Sequence, residues 1–372
     1  MNGIGPNPLP THYTAAQRPK REAAPGGPVL IRRRALLTIA LAAPVLARHP
    51  ARAQDALLEA ARREGSLTWF NGYIGDTVAQ DMVGRFERAH PGIRLITIRS
   101  TSQVAFQRLR QDQQAGLHNC DIYSSSDISH FDDLAREQRL LAYTPAMAAR
   151  IDPALQGRQL YVEGQYYPAL ISMMALAYNS KRVTAAEAPK QWQDLLDPRW
   201  KNNLAVGHPG FSGYAGTWAL LMQQMYGDEF FDRLAANNPL VGRSSNDSVT
   251  QLNSGERIVA ASPAYVAVES GRRGNPVVVN YPVDGALLMV SPAGIMADAP
   301  HPAAAKLFME WLLGPENSSL LVQQGAVPIN RDVPQATDQP ALADISTRRP
   351  TVAEIVKGIP AVAERWRDAL GG

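Results

Sequence analysis

The sequence predicts an α/β fold in two lobes, joined by two extended crossings that leave a cleft between them. Three observations carry this. Short apolar runs alternate with stretches of helical spacing between residues 66 and 123, the pattern of a sheet covered by helices. The same alternation resumes from about residue 204. Two long apolar runs, Ala169 to Tyr178 (ALISMMALAY) and Val277 to Tyr281 (VVVNY), are suited to pass between the lobes, and two such crossings make a hinge.

Residues 1–53 read as an export address. Arg32-Arg33-Arg34 precedes a 13-residue apolar run, Ala35 to Ala47, and Ala51-Arg52-Ala53 supplies a small-x-small exit before Gln54. A positive end, a short apolar centre and a small-residue exit describe a secretory signal. The run is shorter than the ~20 residues that span a bilayer, although an N-terminal anchor is the competing reading. Arg33-Arg34-Ala35-Leu36-Leu37 also resembles a twin-arginine motif, with general secretion as the alternative. Cleavage is expected near Ala53, and a periplasm is the natural destination.

The mature chain then runs through predictable elements. Ser66 to Phe70 is a strand ending at Asn71-Gly72. Thr77 to Ala89 is a helix with Val78, Met82, Val83 and Phe86 on one stripe, stopped by Pro91-Gly92. Ile93 to Ile98 alternates as a strand, Val104 to Ala115 is helical, and Asp121 to Tyr123 is a short strand. Later, Leu204 to Val206 is a strand, Thr217 to Met225 a helix, Ser248 to Asn253 a helix and Arg257 to Ala261 a strand. The expected organisation is 54–170 with 281–345 as lobe 1, 171–280 as lobe 2, and 346–372 as a C-terminal helical segment.

Composition narrows the function. Of the 372 residues 45% are hydrophobic and 19% charged, enough apolar surface to fold. Residues 1–53 hold eight basic side chains and one acid, so the net +3 of the chain leaves −4 on the rest. Nucleic acid is therefore not the expected partner. One cysteine, Cys120, excludes a disulfide and a multi-thiolate metal site.

Two motifs bring a resemblance. Gln191-Trp192-Gln193-Asp194-Leu195-Leu196-Asp197-Pro198-Arg199-Trp200-Lys201 follows shortly after Ala177-Tyr178-Asn179-Ser180, and Ala299-Pro300-His301-Pro302 opens a helix over Ala303 to Leu313 ahead of Gln324-Gly325-Ala326-Val327-Pro328. Over roughly 64–335 the chain resembles the solute-binding proteins of ABC importers, in the subgroup of iron(III), sugar-phosphate, phosphonate and thiamine binders. The resemblance implies a type II periplasmic-binding-protein fold. It also implies capture of a small solute by lobe closure and delivery to an inner-membrane permease, by a monomer without cofactor or catalytic residues. Within the class, iron(III) is the alternative ligand. An exported enzyme is the alternative from another class.

Ligands of such folds sit at loops after the carboxyl ends of strands. Asn71-Gly72-Tyr73 and Ser124-Ser125-Ser126-Asp127 offer hydroxyls and amides that suit an anion. Simple N-capping uses the same groups. In Gly210-Phe211-Ser212-Gly213-Tyr214-Ala215-Gly216 the glycines permit close backbone approach. The stretch misses the G-x-S-x-G elbow and the P-loop ending, so Ser212, Gly213 and Tyr214 read as an anion-cradling helix start. Arg243, before Ser244-Ser245-Asn246-Asp247, is suited to clamp a carboxylate or phosphate, or equally to pair with a surface acid. Ser262-Pro263-Ala264-Tyr265 falls where the iron binders carry two tyrosines. Here only Tyr265 remains, and no metal site is assigned. Asp284, in Tyr281-Pro282-Val283-Asp284-Gly285, is suited to receive a ligand ammonium or hydroxyl, or simply to shape a turn. His118, His130 and His208 lack ligand spacing and read as surface or capping residues.

Overall fold

The chain enters its fold through α1 (Pro50–Glu64), whose Leu57, Leu58 and Ala61 turn inward. The computed structural model describes residues 50–371. Arg32 to Arg34 and the run Ala35 to Ala47 lie outside the described residues, and the expected exit at Ala53 falls in the first turn of α1.

The first half comprises β1 (Ser66–Gly72), α2 (Asp76–Ala89), β2 (Arg94–Arg99), α3 (Ser102–Gln114), β3 (Ile122–Ser125) and α4 (Ser129–Arg136). The stripe on α2 buries Met82 and Phe86, with Val78 and Val83 partly covered, the period that an amphipathic helix requires. β1 pairs in parallel with β2 and with β3. Ser124 and Ser125, expected in a loop, are instead the last residues of β3.

The long strand β4 (Tyr167–Asn179) is buried along its whole length. It leads to a second half of β5 (Leu204–Gly207), α5 (Gly213–Tyr226), α6 (Glu229–Ala236), β6 (Leu240–Gly242), α7 (Asp247–Ser254), β7 (Val259–Pro263), α8 (Ala264–Arg272) and β8 (Val277–Asn280). β5 pairs in parallel with β6 and β7, so the second half repeats the arrangement of the first. The return is made by β9 (Ala286–Ile295), followed by α9 (Pro302–Leu313), α10 (Pro315–Gln323), β10 (Thr347–Arg348) and α11 (Val352–Leu370).

The sheet order is β2-β1-β3-β9-β4-β7-β5-β6, with antiparallel β9 and β4 joining two parallel ends. This corrects one expectation. The run Val277 to Tyr281 is not the second crossing: β8 is a short strand against the end of β4, and β9 runs beside β4. Pro292 and Gly294 conceal β9 in the sequence, because proline removes a ladder donor. In the sheet Pro292 stands opposite Pro168, next to a register shift between Pro168 and Leu170.

The two sequence motifs hold these parts together. His301 donates its backbone N–H to the buried Asp121 at 2.6 Å and sets Nδ1 2.9 Å from the same carboxylate, which also accepts the Thr68 N–H. The start of α9 is thereby tied to β1 and β3. Trp192 is buried and donates Nε1–H to the Gly285 carbonyl at 2.9 Å, anchoring the turn before β9. Across the top, α11 packs on α5 and α6 of the second half and on α4 of the first.

Candidate functional site

The carboxyl ends of the parallel strands in both halves converge on one narrow polar cavity. Such strand ends are where open α/β sheets place ligands. The first half contributes Gly72 and Tyr73 after β1, Arg99 to Ser102 between β2 and α3, and Ser126 after β3. The second contributes Phe211, Ser212 and Tyr214 around the start of α5, and Ser244 to Asn246 before α7.

The halves touch across this cavity. The Gly213 N–H donates to Ser102 Oγ at 3.0 Å, the Ser102 hydroxyl donates to the Phe211 carbonyl at 3.4 Å, and the Tyr265 hydroxyl donates to the Tyr73 carbonyl at 3.4 Å. Gly213 is required by this approach. A Cβ added there would lie 2.4 Å from Asp127 Cβ.

Three helices, α3, α5 and α7, begin at the cavity wall. Their first N–H groups lack intrahelical partners and carry the positive end of the helix dipole. Arg99 adds a full charge, and no carboxylate lines the cavity. Tyr73 Oη and Thr101 Oγ1 are buried without a hydrogen-bond partner among the described residues. Burial pushes the Tyr265 phenol up to about 12, against the pull of an Asn246 hydrogen bond and the Arg99 charge. Burial raises Tyr73 and Tyr214 as well, so all three phenols are neutral hydroxyls at neutral pH. A cavity lined with N–H and O–H donors and one guanidinium is chemically an oxyanion site.

The expected site residues divide into two sets. Gly72, Tyr73, Ser212 and Tyr214 line the cavity, with Gly213 and Tyr265 making contacts between the halves. The others are engaged elsewhere. Asn71 Oδ1 accepts the N–H groups of Tyr73 and Ile74 at 3.2 and 3.1 Å, and its Nδ2–H donates to the Ile74 carbonyl. Ser124 Oγ accepts Trp69 Nε1–H at 2.7 Å. Ser125 Oγ accepts the Asp127 N–H and meets His130 Nδ1. Asp127 accepts the Ser129 N–H and hydroxyl and the Gln103 amide. Asp284 lies away from the cavity, where Trp192 N–H and the Tyr226 hydroxyl donate to it. Arg243 is exposed and lies over the Phe211 ring, 4.7 Å from its centroid; it does not line the cavity.

The histidines also separate. His118 is exposed beside Asp298, and His208 Nδ1 accepts the Gly210 N–H. His130, expected at the surface, is buried and stacked on Phe106 at 4.0 Å. Its apolar neighbours come from distant sequence, which spacing alone does not reveal. The segment Arg99-Ser100-Thr101-Ser102 joins the site without any motif of its own in the sequence. Its signal is small hydroxyl residues between a strand and a helix, the same pattern as Ser124-Ser125-Ser126-Asp127.

Comparisons with known proteins bear on the family and the fold. Residues 120–357 match the family model described as bacterial extracellular solute-binding protein. A Salmonella typhimurium protein, named as a candidate 2-aminoethylphosphonate-binding periplasmic protein, is 25% identical over 219 residues, covering 54% of this chain and 64% of that one. An Fe(3+)-binding periplasmic protein of Serratia marcescens is 24% identical over 177 residues, covering 43% of this chain and 52% of that one. The chain thus spans less than two thirds of the length of these curated relatives. The periplasmic binding protein AfuA from Actinobacillus pleuropneumoniae, solved with fructose-6-phosphate bound, superposes with a TM-score of 0.74 at 19% identity, over 82% of this chain and 98% of AfuA.

Proposed function

The chain belongs to the family of bacterial extracellular solute-binding proteins, and from that premise we propose that it captures a small anionic solute in the periplasm by closure of two lobes and delivers it to an ABC permease of the inner membrane. The observation that carries this is the cavity between Arg99 and the starts of α3, α5 and α7, lined from both halves and free of carboxylates. A ligand that touches both halves favours the closed state by the difference in its contacts with the closed and open states. The 2-aminoethylphosphonate named for one relative and the fructose-6-phosphate held by AfuA support a phosphorylated or phosphonylated organic solute.

In this reading residues 1–53 are the export signal, cleaved near Ala53. Lobe 1 is 54–170 with 281–345, lobe 2 is 171–280, and the protein works as a monomer without cofactor. It binds and does not convert its ligand. A melting screen of small phosphorylated, carboxylated, neutral and cationic organic compounds tests this on the exported protein. A ligand at 100 times its Kd adds ~2.7 kcal/mol of stability. Anions should raise Tm with no product formed. Shifts confined to neutral or cationic compounds, or turnover of the compound that binds, would refute it.

A second reading, iron(III), is favoured by one observation: Tyr73 and Tyr214 line the cavity together, and the Tyr265 hydroxyl reaches the Tyr73 carbonyl beside it. It predicts a visible tyrosinate–iron band that Tyr265→Phe bleaches. With Ala264 at the neighbouring position, we expect iron(III)-treated protein to show no such band.

A further inference from the structure

A second, tighter cavity adjoins the first, and the two share Ser126 and Tyr214 as walls. Its other walls are Ile128, Thr217, the β9 residues Leu288 to Val290, Ile355 of α11, and Arg349. Arg349 Nε and Nη2 are shut off from solvent and find no hydrogen-bond partner among the described residues.

Four surface arginines are paired even where little is gained. Arg110 pairs with Glu137, Arg150 with Asp332, Arg272 with Asp338 and Arg365 with Asp232, all at the surface, where such pairs stabilise weakly. No acid makes a salt bridge with Arg349 among the described residues, and the phenols of the nearby Tyr166 and Tyr214 are held neutral by burial. Burial lowers the guanidinium to about 10, so it still carries its charge at neutral pH. Arg349 as a whole is half-buried, but buried N–H donors left without acceptors are costly, and a planar fork of such donors is the geometry that binds an oxyanion with two parallel hydrogen bonds.

We propose that this second cavity is a further anion subsite, in which Arg349, beside the Ser126 hydroxyl, takes an oxyanion group such as a phosphate or carboxylate. The proposal rests on the solute-capture reading and deepens it. Ser126 comes from the first half and Tyr214 and Thr217 from the second, so the pocket is complete only when the halves meet. An anion there would be enclosed by the same closure. The group can come from the second end of a solute seated in the first cavity, or from a free inorganic anion held beside it.

Calorimetric titration of the exported protein and of R349M, R349K and G213V with inorganic phosphate, glycerol 3-phosphate and 3-phosphoglycerate tests this. R349M keeps the unbranched stem and removes the charge. It should bind 3-phosphoglycerate at least about ten-fold more weakly, the scale of a lost charged hydrogen bond, and R349K should recover part of that. Without ligand R349M should melt no lower than the parent, since it removes two buried donors that have no acceptor; an arginine with a purely structural role would lower Tm instead.

If the group belongs to the solute, the parent prefers 3-phosphoglycerate to glycerol 3-phosphate, and R349M loses that preference. If it is a free anion, phosphate binds twice per parent chain and once per R349M chain. The subsite is refuted if R349M binds all three probes as the parent does. It is equally refuted if the parent binds each probe once with no preference. Loss of phosphate binding in G213V with no change in R349M would refute the subsite and leave the capture reading standing. A parent that binds none of the three would end both.

Discussion

The loops of the two halves contain the same residue types and use them differently. In the first half, Asn71, Ser125 and Asp127 are spent on the backbone of their own turns. In the second, Ser212 caps its own helix through the Ala215 N–H and in addition shares with Ser245 a hydrogen bond of 2.8 Å that joins the starts of α5 and α7 at the cavity wall. Position relative to the strand explains the difference. A polar side chain at the last strand residue or in the tight turn after it finds backbone donors within reach and satisfies them. A residue that stands one loop further on, at a helix start, faces the space between the halves.

The largest effect that could break this comparison is Gly213→Val. The new side chain would meet Asp127 across the interface, so the halves could not close. Phosphate affinity should fall by at least about 100-fold, or ~2.7 kcal/mol, in calorimetric titration, while the unliganded protein melts near the parental temperature. Undiminished affinity would mean that closure is not needed for binding.

Asn71→Ala and Ser212→Ala probe the contrast directly. Asn71→Ala orphans two buried N–H groups and a carbonyl and should cost ~2 kcal/mol in urea unfolding before binding is considered. Ser212→Ala removes an N-cap, costing ~1 kcal/mol, and should weaken phosphate binding as well. Equal losses of stability with no difference in binding would erase the distinction between the halves.

The cations sharpen it further. Arg99→Ala should weaken phosphate binding by ~1.5 kcal/mol. Arg243→Ala, which removes an exposed contact with Phe211, should cost ~0.5–1 kcal/mol. A reversed order would move the anion from the cavity to its rim.

The smallest effect concerns pH. Burial lowers the pKa of His130 below its usual 6.5, opposed by Asp127 and Asp133. A base held neutral in the fold stabilises it at pH above 6.5 and loses that contribution as pH falls below 6.5 toward the folded value. Urea midpoints should therefore decline from pH 7.5 to 5.5, and His130→Phe should flatten part of the slope. A parental slope in that variant would assign the decline to other groups, His90 and His208 among them.

Alternation of apolar runs and helical stripes was enough to place β1 to β3, β5, β7 and the helices α2, α3, α5 and α7, because a strand or helix with one buried face must repeat at its own period. Sequence alone also marked Ser212 and Gly213 as a helix start and Asp121–Tyr123 as a strand. It did not disclose β9, since Pro292 and Gly294 interrupt a pattern that the facing irregularity at Pro168 tolerates. Nor could it separate Asn71 from Ser126, or Arg243 from Arg99 and Arg349. Whether a polar side chain is satisfied, exposed or stranded depends on which groups the fold brings beside it. Those neighbours of Arg349, at Tyr166, Tyr214 and Ser126, come from segments more than a hundred residues away, and only packing brings them together.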